Sequence, residues 1–426
     1  MALRLLARAA ARRLAGLLLP LAATALLLAA CDETSDASGA EGAKDSGIFL
    51  ELLRLMPDDP EVRAGVSMGD VARTRGVLDI DSPQVGAGEQ LDADVIIEYL
   101  MAFGGPGVPD GFRGAPPQLF HLLTTGLEPE VLEGVHASLG LSLLDVDQWI
   151  RVSGPPPRER SAVRGDFDAD YINARIDACA ECPTADVEDR SDARIYAWGE
   201  DFQTDAGSRY RPPLYDQLGR GGRLAVTENW LAHAYYTDGV REMVDAAEGT
   251  SSLADDDDFR LAALGMSRLG ALAAWITSET EGPHESFRGN RPEVEAAWEP
   301  EADDTLLRPY AVAAIGPGWE DDAPYTAIVL VHESDAEAQE NAERLEDRLA
   351  SARYALQAVE GDTWRDAFDD IEVEADGRVL RAKLHGFALA PLGLGGSNIL
   401  LMEPILQQEW HLHGTRDAVS LSAAGT

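Results

Sequence analysis

Four times in this chain a stretch of strand character runs into an aspartate or serine and then into a helical pattern. The joints are Val66-Ser67-Met68-Gly69-Asp70, Val163-Arg164-Gly165-Asp166-Phe167-Asp168, Ala234-Tyr235-Tyr236-Thr237-Asp238 and Val331-His332-Glu333-Ser334-Asp335. An Asp or Ser oxygen accepts from the orphan amides of a helix's first turn, so each joint marks where extended chain becomes helix. Recurrence of this joint constrains the chain to a layered α+β fold, with a helical N-terminal segment and helices packed on one face of antiparallel or mixed sheets. The spacing is too irregular for a solenoid.

Hydrophobic periodicity fills in the elements. Helices are expected over 48–56, 92–103, 117–124 and 130–139, with a strand at 63–68, and Gly154-Pro155-Pro156-Pro157 marks a break. Beyond it the pattern predicts strands at 161–167 and 193–198, a helix at 168–178, and a hairpin of 223–228 with 230–236 around Asn229. Helices at 238–248 and 256–269 and a strand at 271–276 follow. Residues 279–306, rich in proline and acids, read as a linker between an N-terminal lobe (48–278) and a C-terminal lobe (307–413), with a disordered tail at 414–426. In the second lobe Tyr325–Val331 is apolar on both faces, as in a buried central strand. Ser334-Asp335-Ala336-Glu337 is a capping box, and Asp376-Gly377 between two alternating segments is a hairpin turn.

Charge removes a class of function. The chain of 426 residues carries 35 Lys+Arg against 75 Asp+Glu, a formal charge of −40, and only Lys44 and Lys383 are lysines. A nucleic-acid partner requires a basic surface that displaces counterions from phosphate, and this balance is the opposite.

The N-terminus reads as a targeting signal. Arg4, Arg8, Arg12 and Arg13 precede the apolar run Leu14–Leu28, no acid occurs before Asp32, and the run ends in Leu28-Ala29-Ala30-Cys31. This segment resembles the lipobox of bacterial lipoproteins. The resemblance implies cleavage of residues 1–30 after Cys31 receives a diacylglyceryl group. It also implies a membrane partner held through that lipid and a body facing the extracytoplasmic side of the cell membrane. Leu14–Ala30 is 17 residues with Pro20 inside, short of the roughly 20 that a spanning helix needs. Residues 31–47 are small and polar and read as a flexible tether, reaching on the order of 20 Å. Without residues 1–30 the charge becomes −44, so such a body is repelled by anionic headgroups and depends on its lipid. The body is loosely similar to uncharacterised bacterial envelope proteins built from such joints.

Two cysteines remain, in Cys179-Ala180-Glu181-Cys182. A redox CxxC sits at a helix N-terminus, where the dipole favours thiolate. This pair instead follows the helical pattern 171–177 and precedes Pro183, so the expectation is a structural disulfide clipping a helix C-terminus. Zinc is disfavoured because no second ligand pair is near.

Further segments match motifs of known chemistry. Gly65-Val66-Ser67-Met68-Gly69 matches the G-x-S-x-G elbow of serine hydrolases, between a strand and a helix as that motif requires, but no His-Gly-Gly segment accompanies it. Asp166-Phe167-Asp168-Ala169-Asp170 alternates like a calcium loop yet has Tyr171 and Asp177 where an EF-hand needs Gly and Glu. Asp255–Asp258 stands at a helix start as a candidate weak calcium site, and His411-Leu412-His413 as half of a metal site. Gly393-Leu394-Gly395-Gly396-Ser397 lacks the frame of a phosphate loop. The sequence therefore predicts no cofactor, no resident metal and no enzyme. It predicts a lipid-anchored envelope protein with a binding or structural role toward an envelope protein or small molecule. A transporter's solute-binding lipoprotein is the first alternative and a secreted hydrolase using Ser67 the second.

Overall fold

In a computed structural model of the chain, residues 47–83, 93–102, 136, 138–152, 158–180, 182–209, 214–216, 218–280, 307–321, 323–351 and 368–385 are described. Helix α1 (Ile48–Leu53) and the single turn α2 (Pro60–Arg63) lead into β1 (Val66–Asp70), α3 (Val71–Leu78) and α4 (Ala93–Ala102). The chain continues with β2 (Val146–Val152), β3 (Arg160–Gly165), α5 (Ala169–Ala178), β4 (Asp186–Arg190) and β5 (Ala193–Ala197). Next come β6 (Arg223–Val226), β7 (Trp230–Ala234), α6 (Thr237–Ala247), α7 (Asp257–Leu269) and β8 (Ala273–Thr277). The last elements are β9 (Val312–Glu320), β10 (Ala323–Val331), α8 (Asp335–Ser351), β11 (Asp370–Asp376) and β12 (Val379–His385).

The twelve strands among the described residues belong to one sheet, in the order β11-β12-β10-β9-β8-β1-β2-β3-β7-β6-β5-β4, and every neighbouring pair is antiparallel. The sheet runs without interruption across the stretch read as a linker, because β8 pairs with β9 through Trp275↔Ile315 and Ile276↔Ala314.

The α+β class and the antiparallel sheet are as the joints predict; the helices, however, cover both faces. On the first face Phe49 and Leu52 of α1, Val240 and Met243 of α6, and Phe259 and Met266 of α7 pack on Met68, Ile150, Ala232 and Val329. On the second, Ile96 of α4 and Ile172 of α5 pack on Val163 and Leu231, and Leu345 and Leu349 of α8 pack on Leu330 and Leu384. The reason lies in the strands: β10 is buried from Tyr325 through Val331 and β7 along its whole length. A strand that is apolar on both sides requires cover on both sides.

Three joints are capped as read. Asp70 accepts from Arg73 N at 2.9 Å, Asp168 from Tyr171 N at 2.9 Å, and Ser334 and Glu337 close a reciprocal capping box. At the fourth, Asp238 is only a first-turn acid. The cap is Asp201, which reaches in from a distant loop to accept from Thr237 N at 2.9 Å and its hydroxyl at 2.8 Å.

Candidate functional site

Register assembles a polar row on the second face of the sheet. Ser67 on β1 stands opposite Arg151 on β2, Arg151 opposite Ser161 on β3, and Ser161 opposite His233 on β7. Directly paired residues of antiparallel strands share a face, so the four side chains lie side by side. Trp275 adjoins Ser67 at one end and Leu224 adjoins His233 at the other. Ser161 and His233 are 5 % and 6 % exposed. At a spacing of about 4.8 Å per strand the row is about 14 Å long.

Charge is concentrated beside the His233 end. Asp216 and Arg220, both buried, pair at 2.5 Å, and the carboxylate's other oxygen accepts from Leu218 N and Arg220 N. The Arg220 guanidinium lies 4.1 Å from the Tyr235 ring centroid, and Tyr235 packs edge-on against His233 at 4.9 Å. Arg223, 2 % exposed, donates to the carbonyls of Trp198, Gly199 and Gly221 and pairs with Asp201 at 2.7 Å. Burial lowers the pKa of His233 to about 4; Asp216 opposes that shift and Arg220 and Arg223 add to it, so the imidazole is neutral at physiological pH. Burial likewise depresses Arg151, with Glu159 at 3.8 Å opposing, and raises the Tyr235 hydroxyl. The row therefore brings together two hydroxyls, a neutral imidazole and a guanidinium paired with Glu159. It holds no assembled nucleophile and base, since no hydrogen bond joins Ser161 to His233.

The residues singled out from sequence are scattered. Ser67 lies mid-strand, with His233 three strands away, at about 14 Å and far beyond proton-transfer reach. The two glycines of its motif have a packing role instead. A β-carbon on Gly65 would meet Trp275 Nε1 at 2.9 Å, and one on Gly69 would meet Trp149 Nε1 at 2.5 Å. Each glycine lets an indole lie across β1. Cys179 and Cys182 form a disulfide with a Cα–Cα distance of 5.3 Å, and Cys179 is the C-cap of α5.

The four aspartates 255–258 serve four different partners. Asp255 accepts from Ser252, Asp256 caps α7 and pairs with Arg63, Asp257 pairs with Arg260, and Asp258 pairs with Arg378. They splay apart and leave no common ligand set. Asp168 of the other acidic run is a helix cap. Among the described residues no group of three or more His, Cys, Asp or Glu is placed to hold a metal ion. Cys31, His411, His413 and Gly393–Ser397 lie outside the described residues.

Arg151, Ser161, Asp216 and Arg220 carry no signal of a site in the sequence. No local motif links them; the row exists only because four strands separated in sequence pair in one register.

Comparison with known proteins adds little. No family model matches the chain, and no curated protein does. Among solved structures, TP0453 shares a distant likeness. Crystal form III has a TM-score of 0.34 and 8 % identity, covering 81 % of this chain and 97 % of that one. Crystal form I has a TM-score of 0.33 and 8 % identity, over 82 % and 97 %. A likeness of that depth assigns neither family nor function. No helix of the described residues is long and apolar enough to cross a membrane.

Proposed function

We propose that this chain is a bacterial lipoprotein, attached through a lipid on Cys31 and displaying its body on the extracytoplasmic side of the cell membrane in a binding or structural role. The observation that carries the reading is Leu28-Ala29-Ala30-Cys31 at the end of an arginine-led apolar run. A structural disulfide outside the cytoplasm accords with it.

The uninterrupted sheet supports a rigid platform over the hinged pair of lobes that a transporter's solute receptor uses. The packing role of Gly65 and Gly69 supplies a non-catalytic reason for the Ser67 motif. Within the platform, the row Ser67–Arg151–Ser161–His233 is a largely buried polar stripe that ties four strands together.

The test is metabolic labelling with a fatty-acid probe in a bacterial host, comparing the chain with its Cys31→Ser variant. Label and membrane retention are expected for the first and neither for the second. Lipid label persisting on Cys31→Ser overturns the proposal.

A further inference from the structure

At the other end of the sheet a histidine is locked into one protonation state by an asparagine that cannot turn. His332 ends the β10 edge of the joint into α8 and is fully buried. Its Nε2 lies 2.7 Å from Asn341 Nδ2 on α8, and its Nδ1 lies 3.4 Å from the carbonyl of Arg378 in the β11–β12 turn. Asn341 is held at both ends by one residue of the segment before β9. Its Oδ1 accepts from Arg308 N at 2.6 Å, and its Nδ2 donates to the Arg308 carbonyl at 2.9 Å. Turning the amide over would set two donors against each other at one contact and two acceptors at the other. With Nδ2 fixed as a donor, Nε2 must accept, and the ring is the neutral tautomer whose Nδ1–H faces the Arg378 carbonyl.

Burial opposes a second proton on the ring, while the carbonyls of Arg378 and Leu330 favour it. Tyr310 packs edge-on at 6.0 Å. The Arg378 guanidinium donates to the His332 carbonyl and pairs with Asp258 of α7 at 2.5 Å. The one described carboxylate acting on the ring is Glu337, in the first turn of α8, which is occupied in the capping box with Ser334. Burial lowers the pKa of the ring. An imidazolium here would point Nε2–H at the amide hydrogens of Asn341, a buried donor facing a donor.

We propose that His332, Asn341 and Arg308 form a proton-operated latch, which ties α8 and the segment before β9 to the sheet at neutral pH and lets them go when the ring is charged. The sign follows from the chemistry. The bond is made by the neutral ring, so the latch is closed at high pH and opens as pH falls. Three chain segments meet at this one ring, so its release frees the N-terminal half of α8 together with residues 307–311, while the core under α4 and α5 at the other end of the sheet is untouched. An extracytoplasmic protein experiences the pH of its surroundings directly, and this joint would report it as a local change of order.

Hydrogen exchange tests it. Protection is compared at pH 7.5 and pH 5.0, with exchange times corrected for intrinsic rate, in peptides covering 307–312 and 335–345 and, as reference, β2. In the native chain the first two are expected to lose roughly tenfold or more in protection beyond any loss in β2, the change expected when a buried hydrogen bond becomes a donor clash. His332→Gln, which stays neutral, is expected to abolish that extra loss. Asn341→Asp, whose carboxylate accepts from the charged ring, is expected to reverse its direction. NMR titration of the His332 ring in the unaltered protein needs no variant, and is expected to show a midpoint below that of free imidazole. Equal acid loss in native and His332→Gln proteins, acid-directed loss retained in Asn341→Asp, or a ring midpoint at or above the free value each overturns the latch.

Discussion

Replacing His233 by glutamine should remove a large part of this protein's sensitivity to mild acid. The ring stands between Ser161 and Leu224, under Tyr235 and beside the Asp216–Arg220 pair, and its pKa is lowered from 6.5 to about 4. A histidine that binds its proton more weakly when folded makes the unfolded state the better proton acceptor. Stability is therefore complete above pH 6.5 and is lost as pH falls toward the folded value. Integrating over that window, this one residue withdraws about 2 kcal/mol by pH 5 and about 3 kcal/mol by pH 4. That is a substantial part of the 5–15 kcal/mol typical of a folded domain. The assay is urea unfolding at a series of pH values from 8 to 4, for the native chain and His233→Gln. The variant begins lower or higher by whatever the glutamine's packing dictates, so the informative quantity is the slope with pH, which should be flatter by about 2 kcal/mol between pH 8 and 5. Parallel curves would refute the reasoning, because they would mean that the buried ring is already charged in the folded protein or is reached by water.

Three further outcomes are expected. Gly69→Ala should destabilise by about 1–3 kcal/mol through collision with the Trp149 indole, and Trp149→Phe in that background should recover part of the loss; thermal melts of the three proteins check it. Arg220→Ala should cost about 3–5 kcal/mol by leaving the Asp216 carboxylate buried without its cation, whereas removing both charges together should cost less than the sum of the single changes in a double-mutant cycle. Calcium and chelator should leave the melting temperature unchanged, because Asp255, Asp256, Asp257 and Asp258 are each committed elsewhere; an upward shift with calcium would show that they can converge.

Local chemistry was legible in the sequence and assembly was not. The caps at Asp70, Asp168 and Ser334, the β11–β12 hairpin with Gly377 in the left-handed region, and the double-sided burial of β10 all follow from signals within a few residues. Strand β9 carries little local strand signal because Gly316-Pro317-Gly318 interrupts its alternation. In fact both glycines serve close approach: a β-carbon on Gly316 would meet the Ala273 carbonyl at 1.8 Å, and one on Gly318 would meet the Tyr325 ring. Strand β2 was missed because Val146-Asp147-Gln148-Trp149 breaks alternation, and a bulge against β3 lies there. The cap from Asp201 to Thr237 and the row from Ser67 to His233 depend on contacts between segments far apart in sequence, which no local pattern encodes.

The open sheet ends in two charged edges. Strand β4 reads Asp-Val-Glu-Asp-Arg, with Glu188 and Arg190 tied to Arg241 and Asp245 of α6, and β11 presents Asp370, Glu372, Glu374 and Asp376 along one side. At neutral pH two copies meeting edge to edge bring like charges together, and the unpaired backbone of each edge stays unmatched. Arginine pairing holds Glu188 and Asp376 below the ordinary carboxylate range, so they keep their charge in the mild acid in which His233 begins to undermine the fold. Molecules opened by mild acid should then stay dispersed and refold on neutralisation, with recovery that does not fall as protein concentration rises.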